Sequence, residues 1–430
     1  MKLLALGDIH LGRRPSRLPE ELADRAADFC PAKALQITVD AAIENNVDAV
    51  LFAGDVVESE DDYFEALREL QTNVDRLTKA GIQVIAVAGN HDVNVLPRLA
   101  DLFKDNSGFR LLGRGGQWES HAINAEDATV HLWGWSFPEK RVTSSPLTGW
   151  TFERNPGINL GLLHCDRDQH ASSYAPVMSR EFPATGLDGW LLGHIHKPDN
   201  LTPDDLNGYL GCLSGMDPGE SGACGPWLVK IAEGRITEVE QWPLAPVRWE
   251  SLQVDLSDMA DVFELENILI TSTSEFDRQF SDARWTPEII GLRVTYTGRT
   301  HLGNEVRNRL GGMERQSLFF EVNGRHYFVE HQEVQTLPDV SLAHLAERDD
   351  LPGLLAQRLL LLDQPEDDDA RIEMIRAAQE QFRKSLDQPV WQALDEEPEL
   401  LADDQIARRL RNAGEQALDK LLAQQSESRK

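Results

Sequence analysis

Five short polar clusters in the sequence carry side chains that bind divalent metal ions. Along the chain they are Asp8-Ile9-His10, Gly54-Asp55, Gly89-Asn90-His91-Asp92, His164 and Gly193-His194-Ile195-His196. Carboxylates and imidazoles together favour Mn²⁺, Fe²⁺ or Zn²⁺, and no thiolate is needed. Two metal ions about 3.5–4 Å apart require a ligand that reaches both, which a carboxylate does best, and Asp55 is the natural bridge.

Each cluster also has an ordinary structural interpretation. An Asp-x-His sequence is common at the end of a surface strand, and Gly-Asn is common in turns. His164 by itself would be a histidine of the hydrophobic core. Five clusters in order, each after an apolar run, favour a metal site over these separate interpretations. The remaining histidines lack this context and are predicted to be structural or exposed: His121, His131, His170, His301, His326, His331 and His344.

The clusters follow segments that have the pattern of strands in an α/β domain. Apolar runs at Leu3–Leu6, Ala49–Ala53 and Val84–Ala88 each end in polar residues, and helical patterns span Ala32–Asn45 and Tyr63–Ala80 between them. Strands that alternate with helices predict a parallel sheet. Ligands of such sheets bind beyond the carboxyl ends of the strands, so the five clusters can converge on one edge.

The periodicity changes along the chain and predicts three regions. Residues 1–244 form the α/β domain, residues 247–336 a small α+β cap, and residues 341–430 a helical, strongly polar region. In the cap, Asn323-Gly324 between two apolar runs is a hairpin signal. Further cap elements are expected as strands over Leu252–Val254, Ile289–Tyr296 and Phe319–Val322 and a helix over His301–Leu310.

Composition limits the classes of function. The chain has 430 residues, 41% of them hydrophobic, and a formal net charge of −30. This charge repels nucleic acid and argues against a stand-alone DNA-binding protein, although bound metal ions or a basic partner would reverse the local field. Its four cysteines show no Cys-x-x-Cys spacing, which favours reduced thiols. No run approaches the ~18 apolar residues of a membrane span, so we expect a soluble, cytoplasmic protein.

The clusters resemble the signature of calcineurin-like metallophosphoesterases. More narrowly, the chain is similar to the SbcD-type DNA repair exonucleases and to their YhaO-like branch, over roughly Met1–Ile231. The segments that carry the narrower resemblance are Asp8-Ile9-His10-Leu11-Gly12, Tyr174-Ala175-Pro176, Gly193-His194-Ile195-His196-Lys197-Pro198 and Tyr209-Leu210-Gly211. The resemblance implies an α/β fold, a metallophosphoesterase sandwich of two β-sheets flanked by helices, with the cap and the helical C-terminal region after it.

The resemblance also implies roles for the site residues. One metal ion would be held by Asp8, His10, Asp55 and His196, and the second by Asp55, Asn90, His164 and His194. His91 would be catalytic: it would face the scissile phosphate and stabilise charge or protonate the leaving oxygen. Two divalent ions, Mn²⁺ before Fe²⁺ or Zn²⁺, would acidify a water that attacks phosphorus in line.

One departure from the family pattern concerns Glu58. Many nuclease members have a histidine three residues after the bridging aspartate, where this chain has Glu58. An acidic side chain there would alter contacts to phosphate or metal, or it is an ordinary carboxylate at the start of a helix.

Three functions remain open from the sequence. The first is a DNA nuclease subunit that works with an SbcC-type coiled-coil ATPase, as a homodimer in related proteins. The second is a phosphatase or phosphodiesterase for a small molecule or phosphoprotein, and the third is a scaffold with a degenerate site. Docking of the ATPase is expected after about Ser341, where apolar stripes either meet the partner or pack on the chain's own cap. The stripes comprise Leu355, Leu359 and Leu362, and Ile406, Leu410, Leu418 and Leu421.

Overall fold

The computed structural model describes residues 1–103, 106, 108–125, 128–313, 318–386 and 401–427. It divides into two compact units, residues 1–251, 277–293 and 317–330 in the first, and residues 252–276, 294–316 and 331–430 in the second. Parts of the predicted helical region, residues 387–400 and 428–430, lie outside the described residues.

Fifteen strands are present in the described residues. They are β1 (Lys2–Leu6), β2 (Ala49–Ala53), β3 (Gln83–Val87), β4 (Phe109–Leu111), β5 (Glu119–Asn124), β6 (Thr129–Trp135), β7 (Ile158–His164), β8 (Gly189–Gly193), β9 (Asn207–Tyr209), β10 (Trp227–Ala232), β11 (Arg235–Gln241), β12 (Val247–Asp255), β13 (Ile289–Thr297), β14 (Phe319–Val322) and β15 (Arg325–Val334).

Ten α-helices accompany these strands in the same part of the chain. They are α1 (Pro31–Glu44), α2 (Tyr63–Lys79), α3 (Leu96–Leu102), α4 (Glu181–Thr185), α5 (Leu265–Asp277), α6 (Gly303–Met313), α7 (Leu342–Leu345), α8 (Leu351–Leu361), α9 (Asp369–Leu386) and α10 (Asp403–Glu427). The predicted helices over Ala32–Asn45 and Tyr63–Ala80 are confirmed to within one residue at each end. Gly81, with a φ of +82°, follows the last turn of α2 as expected of a glycine at a helix C-terminus.

Two sheets make up most of the first unit. The six-stranded sheet has the order β11-β10-β1-β2-β3-β4, and the five-stranded sheet has the order β5-β6-β7-β8-β9. Strands β1 to β4 run parallel, as predicted, and so do β6 to β9. Strands β10 and β11 extend the first sheet in antiparallel pairing.

The two sheets face each other across one apolar layer. Leu3 and Ala5 of β1 pack into this layer with Leu160 and Leu162 of β7. The alternate residues of β1 point to the other face, where they pack with helices α1, α2 and α3. Because β1 is buried on both faces, its sequence is continuously apolar rather than alternating. The predicted α/β sandwich of two sheets flanked by helices is confirmed.

A third sheet, of four strands, has the order β12-β13-β15-β14. Strands β14 and β15 form the predicted hairpin. Asn323 and Gly324 occupy its turn with φ angles of 50° and 81°. Two successive positive φ angles are those of a type I′ turn, which suits the twist of a hairpin.

The apolar stripes predicted in the C-terminal region pack against one another. Leu359, Leu362 and Leu418 are buried in one cluster, and Leu355 and Leu410 pack on it. These side chains are therefore not open to a partner. Helix α10 is also tied to α6 and to the end of β13 within the second unit. Arg307 pairs with Asp419 at 2.7 Å, and Arg299 with Glu415 at 2.9 Å.

None of the helices in the described residues is both long enough and apolar enough to cross a bilayer.

Candidate metal centre

The predicted site residues lie at the carboxyl ends of strands from both sheets. Asp8 follows β1 and Asp55 follows β2, each after one intervening glycine. Asn90 and His91 follow β3, His164 is the last residue of β7, and His194 and His196 follow β8. Because β1, β2, β3, β7 and β8 end near the same edge of the sandwich, residues far apart in sequence meet there.

The backbone turns sharply at three of these residues. His10, Asp55 and His194 have φ angles of 54°, 47° and 107°. Residues other than glycine seldom adopt positive φ, and such conformations persist where surrounding contacts over-determine them. The amide N–H groups of Ile9 and His10 both donate to the Asp55 carbonyl, at 3.0 and 2.9 Å. These bonds hold the two turns against each other.

Asp8, His10 and His196 form a first cluster, in which one ligand atom from each lies within 4.8 Å of the others. Nε2 of His10 and Nε2 of His196 are 3.1 Å apart. The Asp8 carboxylate is buried and accepts the His194 amide N–H at 3.0 Å. Two ring nitrogens and a carboxylate thus face a common point.

Asp55, His164 and His194 form a second cluster. Nε2 of His164 lies 3.2 Å from Oδ2 of Asp55 and 3.0 Å from Oδ1 of Asn90, while its Nδ1 lies 3.0 Å from the Ala53 carbonyl oxygen. With Nδ1–H donating to that carbonyl, Nε2 faces two oxygen acceptors. Burial lowers the pKa of His194 to about 3, with His164 adding to the effect, so the His194 ring is neutral and suited to bind a cation.

The donor set of both clusters fits divalent cations. Burial by itself would lower the pKa of His164, but Asp55 beside it raises that pKa to about 9. The surroundings of His164 therefore favour a positive charge beside Asp55 and Asn90. Either a proton on the ring or a bound metal ion can supply that charge. Imidazole, carboxylate and amide oxygen are ligands of Mn²⁺, Fe²⁺ and Zn²⁺.

Glycines make room for these side chains. A Cβ at Gly89 would clash with Oδ1 of Asp55, and a Cβ at Gly54 would lie 2.6 Å from Nδ1 of His164. Neither position can take a larger residue without displacing a predicted ligand. The Gly-Asp and Gly-Asn-His patterns thus have a steric cause.

His91 lies beside the first cluster and is exposed to solvent. Its amide N–H donates to Oδ1 of Asp55 at 2.9 Å, and its Nδ1 lies 2.9 Å from the carbonyl oxygen of Glu58. The rings of His91 and His10 meet edge to face, with centroids 5.1 Å apart. Glu58 also brings its carboxylate to the site: Oε2 lies 2.7 Å from Nδ1 of His10.

Asp92, the fourth residue of the Gly-Asn-His-Asp cluster, holds the loop rather than facing the ligands. Its carboxylate accepts the N–H groups of Gly89 at 2.8 Å and Val56 at 2.7 Å. Burial, with Asp55 nearby, raises the pKa of Asp92 to about 7. The side chain therefore joins the loops after β2 and β3.

Sequence reasoning missed Glu220. Its Oε1 lies 2.6 Å from Nδ1 of His196 and 3.0 Å from Nη1 of Arg13, and its Oε2 accepts the Met216 amide N–H at 2.6 Å. Burial would raise the pKa of Glu220, but His196, Arg13 and the Met216 amide lower it to about 2. Glu220 lies in a loop between β9 and β10, so no strand-end pattern marked it.

Comparison with known proteins shows related sequences over the same region. "Uncharacterized metallophosphoesterase YhaO" of Bacillus subtilis is 23% identical over 287 residues, 62% of this chain and 65% of that protein. "DNA double-strand break repair protein Mre11" of Aeropyrum pernix is 35% identical over 283 residues, 62% of this chain and 66% of that protein. The chain thus spans just under two thirds of the length of these two relatives.

Among solved structures, a dimetal phosphatase from Danio rerio is 12% identical with a TM-score of 0.35, covering 56% of this chain and 98% of that one. The model of the calcineurin-like phosphoesterase family matches residues 1–198, the segment that contains every predicted site residue. Over residues 1–198, the chain thus matches the calcineurin-like phosphoesterase family.

Proposed function

We propose that the chain is a nuclease subunit that hydrolyses phosphodiester bonds of DNA with two divalent cations. The observation that carries the proposal is the pair of ligand clusters, Asp8-His10-His196 and Asp55-His164-His194, at one edge of the sandwich. In the proposed assignment, Asp55 also serves the first cation and Asn90 the second. When bound, the cations supply an activated water and neutralise charge on the phosphate.

The residues of the chain then have separate tasks. Asp8 and Asp55 bring negative charge to the cations. His194 presents a neutral ring nitrogen, and His164 does so once a cation takes the place of its proton. His91 holds or moves a proton at Nε2, because its Nδ1 is engaged by the Glu58 carbonyl at 2.9 Å. Its exposure allows contact with a phosphate arriving from solvent. Proton transfer to the leaving oxygen is the role we assign to it.

DNA is the substrate that the relatives favour, since the Aeropyrum pernix protein is described as a DNA double-strand break repair protein. Exposed cations flank the ligand segments: Arg14 and Arg17 follow His10, and Lys197 follows His196. They can contact backbone phosphates beside the cleaved bond. With a net charge of −30, the chain needs a partner with further basic surface to hold DNA at physiological salt.

We assign that task to an SbcC-type coiled-coil ATPase in the cytoplasm. Because the predicted stripes are packed internally, we place the docking surface on the exposed side of α8. Leu351 and Leu354 are 68% and 54% exposed. Three residues apart, they lie on one helix face, the arrangement that an apolar helix–helix contact requires. A homodimer is a further expectation, to be tested by sedimentation.

The second candidate is a phosphodiesterase or phosphatase for a small molecule or phosphoprotein, which the net charge of −30 favours. One assay separates the candidates. The purified chain with Mn²⁺ is given linear duplex DNA, single-stranded DNA, bis-p-nitrophenyl phosphate and p-nitrophenyl phosphate, with and without the ATPase, and Asp55→Asn as the negative control.

The nuclease proposal expects DNA cleavage that the ATPase stimulates and that the Asp55→Asn variant lacks. Hydrolysis of the small esters without any DNA cleavage supports the second candidate instead. Absence of turnover on all four substrates, in protein that holds Mn²⁺, supports the scaffold. Repeating the assay with Fe²⁺ and Zn²⁺ tests the preference for Mn²⁺.

A further inference from the structure

In the first cluster, the rings of His10 and His196 have matching surroundings. Each has Nε2 turned toward the other, at 3.1 Å, and each has Nδ1 against a glutamate. The distance is 2.6 Å from His196 to Glu220 and 2.7 Å from His10 to Glu58. These glutamates come from different loops, one after β9 and one after β2. Two unrelated loops therefore each place a glutamate carboxylate beside Nδ1 of a predicted ligand histidine.

This arrangement determines which ring nitrogen carries the proton. A neutral imidazole has one N–H, and a cation binds only the nitrogen without it. A carboxylate beside Nδ1 favours the proton there, where it is donated as a charge-assisted hydrogen bond. Nε2 is then left with its lone pair. With these lone pairs 3.1 Å apart, the two Nε2 atoms can bind the same cation.

Glu220 is itself held rigidly. Oε2 accepts the amide N–H of Met216 at 2.6 Å, and Oε1 contacts Arg13 at 3.0 Å as well as His196. The side chain is about 11% exposed, so water competes little with these bonds. A fixed acceptor fixes the direction of the His196 ring. Such outer contacts orient a ligand without touching the metal.

Glu58 contacts the site through both its backbone and its side chain. Its backbone N–H donates to the Leu11 carbonyl at 3.0 Å, and its own carbonyl lies 2.9 Å from Nδ1 of His91. Its Oε2 and Nδ1 of His10 are buried, and in the described residues neither forms a well-aligned hydrogen bond. Their 2.7 Å contact is an ion pair with oblique geometry.

We propose that Glu220 and Glu58 are positioning residues that hold His196 and His10 in the Nδ1–H tautomer, so that both Nε2 atoms bind the first cation. This rests on the proposed two-metal function. In this proposal Glu58 acts behind a ligand, on the ring of His10, rather than at the phosphate.

The first test measures the tautomers directly in the full-length, metal-free protein. Selective ¹⁵N-histidine labelling and nitrogen–carbon correlation spectra distinguish Nδ1–H from Nε2–H rings, and His10→Gln and His196→Gln spectra identify the signals. We expect Nδ1–H at both residues in the wild type, and a mixture at His196 in Glu220→Gln and at His10 in Glu58→Gln. Nε2–H rings in the wild type would overturn the proposal, whether or not a variant folds.

The second test is calorimetric titration with Mn²⁺. Glu220→Gln and Glu58→Gln should each weaken one of two sites by about 10–100-fold and leave the other unchanged. Glu60→Gln is the matched control, because Glu60 is exposed and contacts Asn94 and Lys140 instead. Wild-type affinity at both sites in both variants refutes the positioning role alone. A wild-type protein that binds fewer than two Mn²⁺ refutes the two-metal function itself.

Discussion

Nε2 of His10 lies 3.1 Å from Nε2 of His196, although 186 residues separate them in the chain. The contact joins the loop after β1 in the six-stranded sheet to the loop after β8 in the five-stranded sheet. The site therefore exists only when the two sheets are packed on each other. Variants that alter ligands can be separated from variants that unfold the sandwich by measuring metal content and secondary structure together.

Asp55→Asn should abolish hydrolysis and weaken both cation sites. Its Oδ2 lies 3.2 Å from His164, and its Oδ1 accepts the His91 amide N–H at 2.9 Å, so the amide variant keeps the shape but loses the charge. Metal analysis after Mn²⁺ saturation and gel filtration measures the loss. Asp61→Asn, an exposed neighbour, is the control. One Mn²⁺ per chain in active wild-type protein would contradict the two-metal assignment.

His91→Ala should retain both metal ions and lose about 10²–10⁴-fold in kcat, the usual contribution of general acid or charge stabilisation. The side chain is exposed beside the ligands, so its removal leaves the packing intact. Steady-state kinetics and metal analysis on one preparation give the answer. His170→Ala, another exposed histidine, should behave as the wild type. If His91→Ala loses its metal and stays folded, the residue is a ligand instead.

Gly89→Ala tests the steric role of a glycine. The added methyl group would clash with Oδ1 of Asp55 and displace that carboxylate. A misplacement of about 1 Å at a reacting centre costs about 10²-fold in rate. Gly311→Ala is the control, since a Cβ there meets open space on α6. Unchanged kcat/KM and Mn²⁺ affinity in Gly89→Ala would show that Asp55 does not need this position.

The double variant Leu351→Glu/Leu354→Glu should stay folded and lose co-purification with the coiled-coil ATPase. Both leucines are exposed on α8, so charge there costs little stability and disrupts only an apolar contact. Ile270→Glu on α5, which is 44% exposed, is the control. Retention of the ATPase by the double variant would remove α8 from the interface. Truncation before Ser341 is a poorer test, because it deletes the partners of Arg299 and Arg307.

Asp277→Asn should destabilise the chain by about 3–5 kcal/mol at pH 7, since it leaves the largely buried Arg325 side chain without its ion pair. Burial raises the pKa of Asp277, but Tyr327, Asn323 and Arg325 outweigh it and lower the pKa below its usual value. A lowered folded-state pKa gives stability that is complete above the unfolded pKa of about 3.9 and is lost as pH falls through the folded pKa.

The urea midpoint is the measurement for this variant. The gap between wild type and Asp277→Asn should be constant from pH 7 to about pH 5 and shrink below about pH 4. Asp282→Asn, on an exposed residue of the same segment, should match the wild type throughout. A difference in urea midpoint that widens as the pH falls would contradict this prediction.

Strand-end motifs were the part of the site that sequence could predict. Asp8, Asp55, Asn90 and His194 each follow an apolar run, and the rule that parallel strands end at one edge brings them together. Glu220 could not be found in this way. It reaches His196 through a loop whose course depends on packing with Met216 and Arg13, and no local periodicity encodes such a path.

The same limit applies to the C-terminal region. Helical spacing correctly placed Leu359 and Leu418 on apolar stripes, but spacing does not say what covers a stripe. Their mutual packing depends on the antiparallel return of α10 onto α8, a long-range contact. The positive φ angles of His10 and Asp55 are likewise set by tertiary hydrogen bonds rather than by residue preference.

The ion pair between Arg299 and Glu415 has a consequence for biosynthesis, because its members are 116 residues apart. At about 5–20 residues per second, a ribosome needs roughly 6–23 s to pass from the arginine to the glutamate. During that interval the guanidinium that will meet α10 has no carboxylate from that helix. The second unit therefore cannot complete its packing until α10 has been synthesised. Leu359 likewise stays exposed until Leu418 is available, and chaperones can bind the nascent chain during this period.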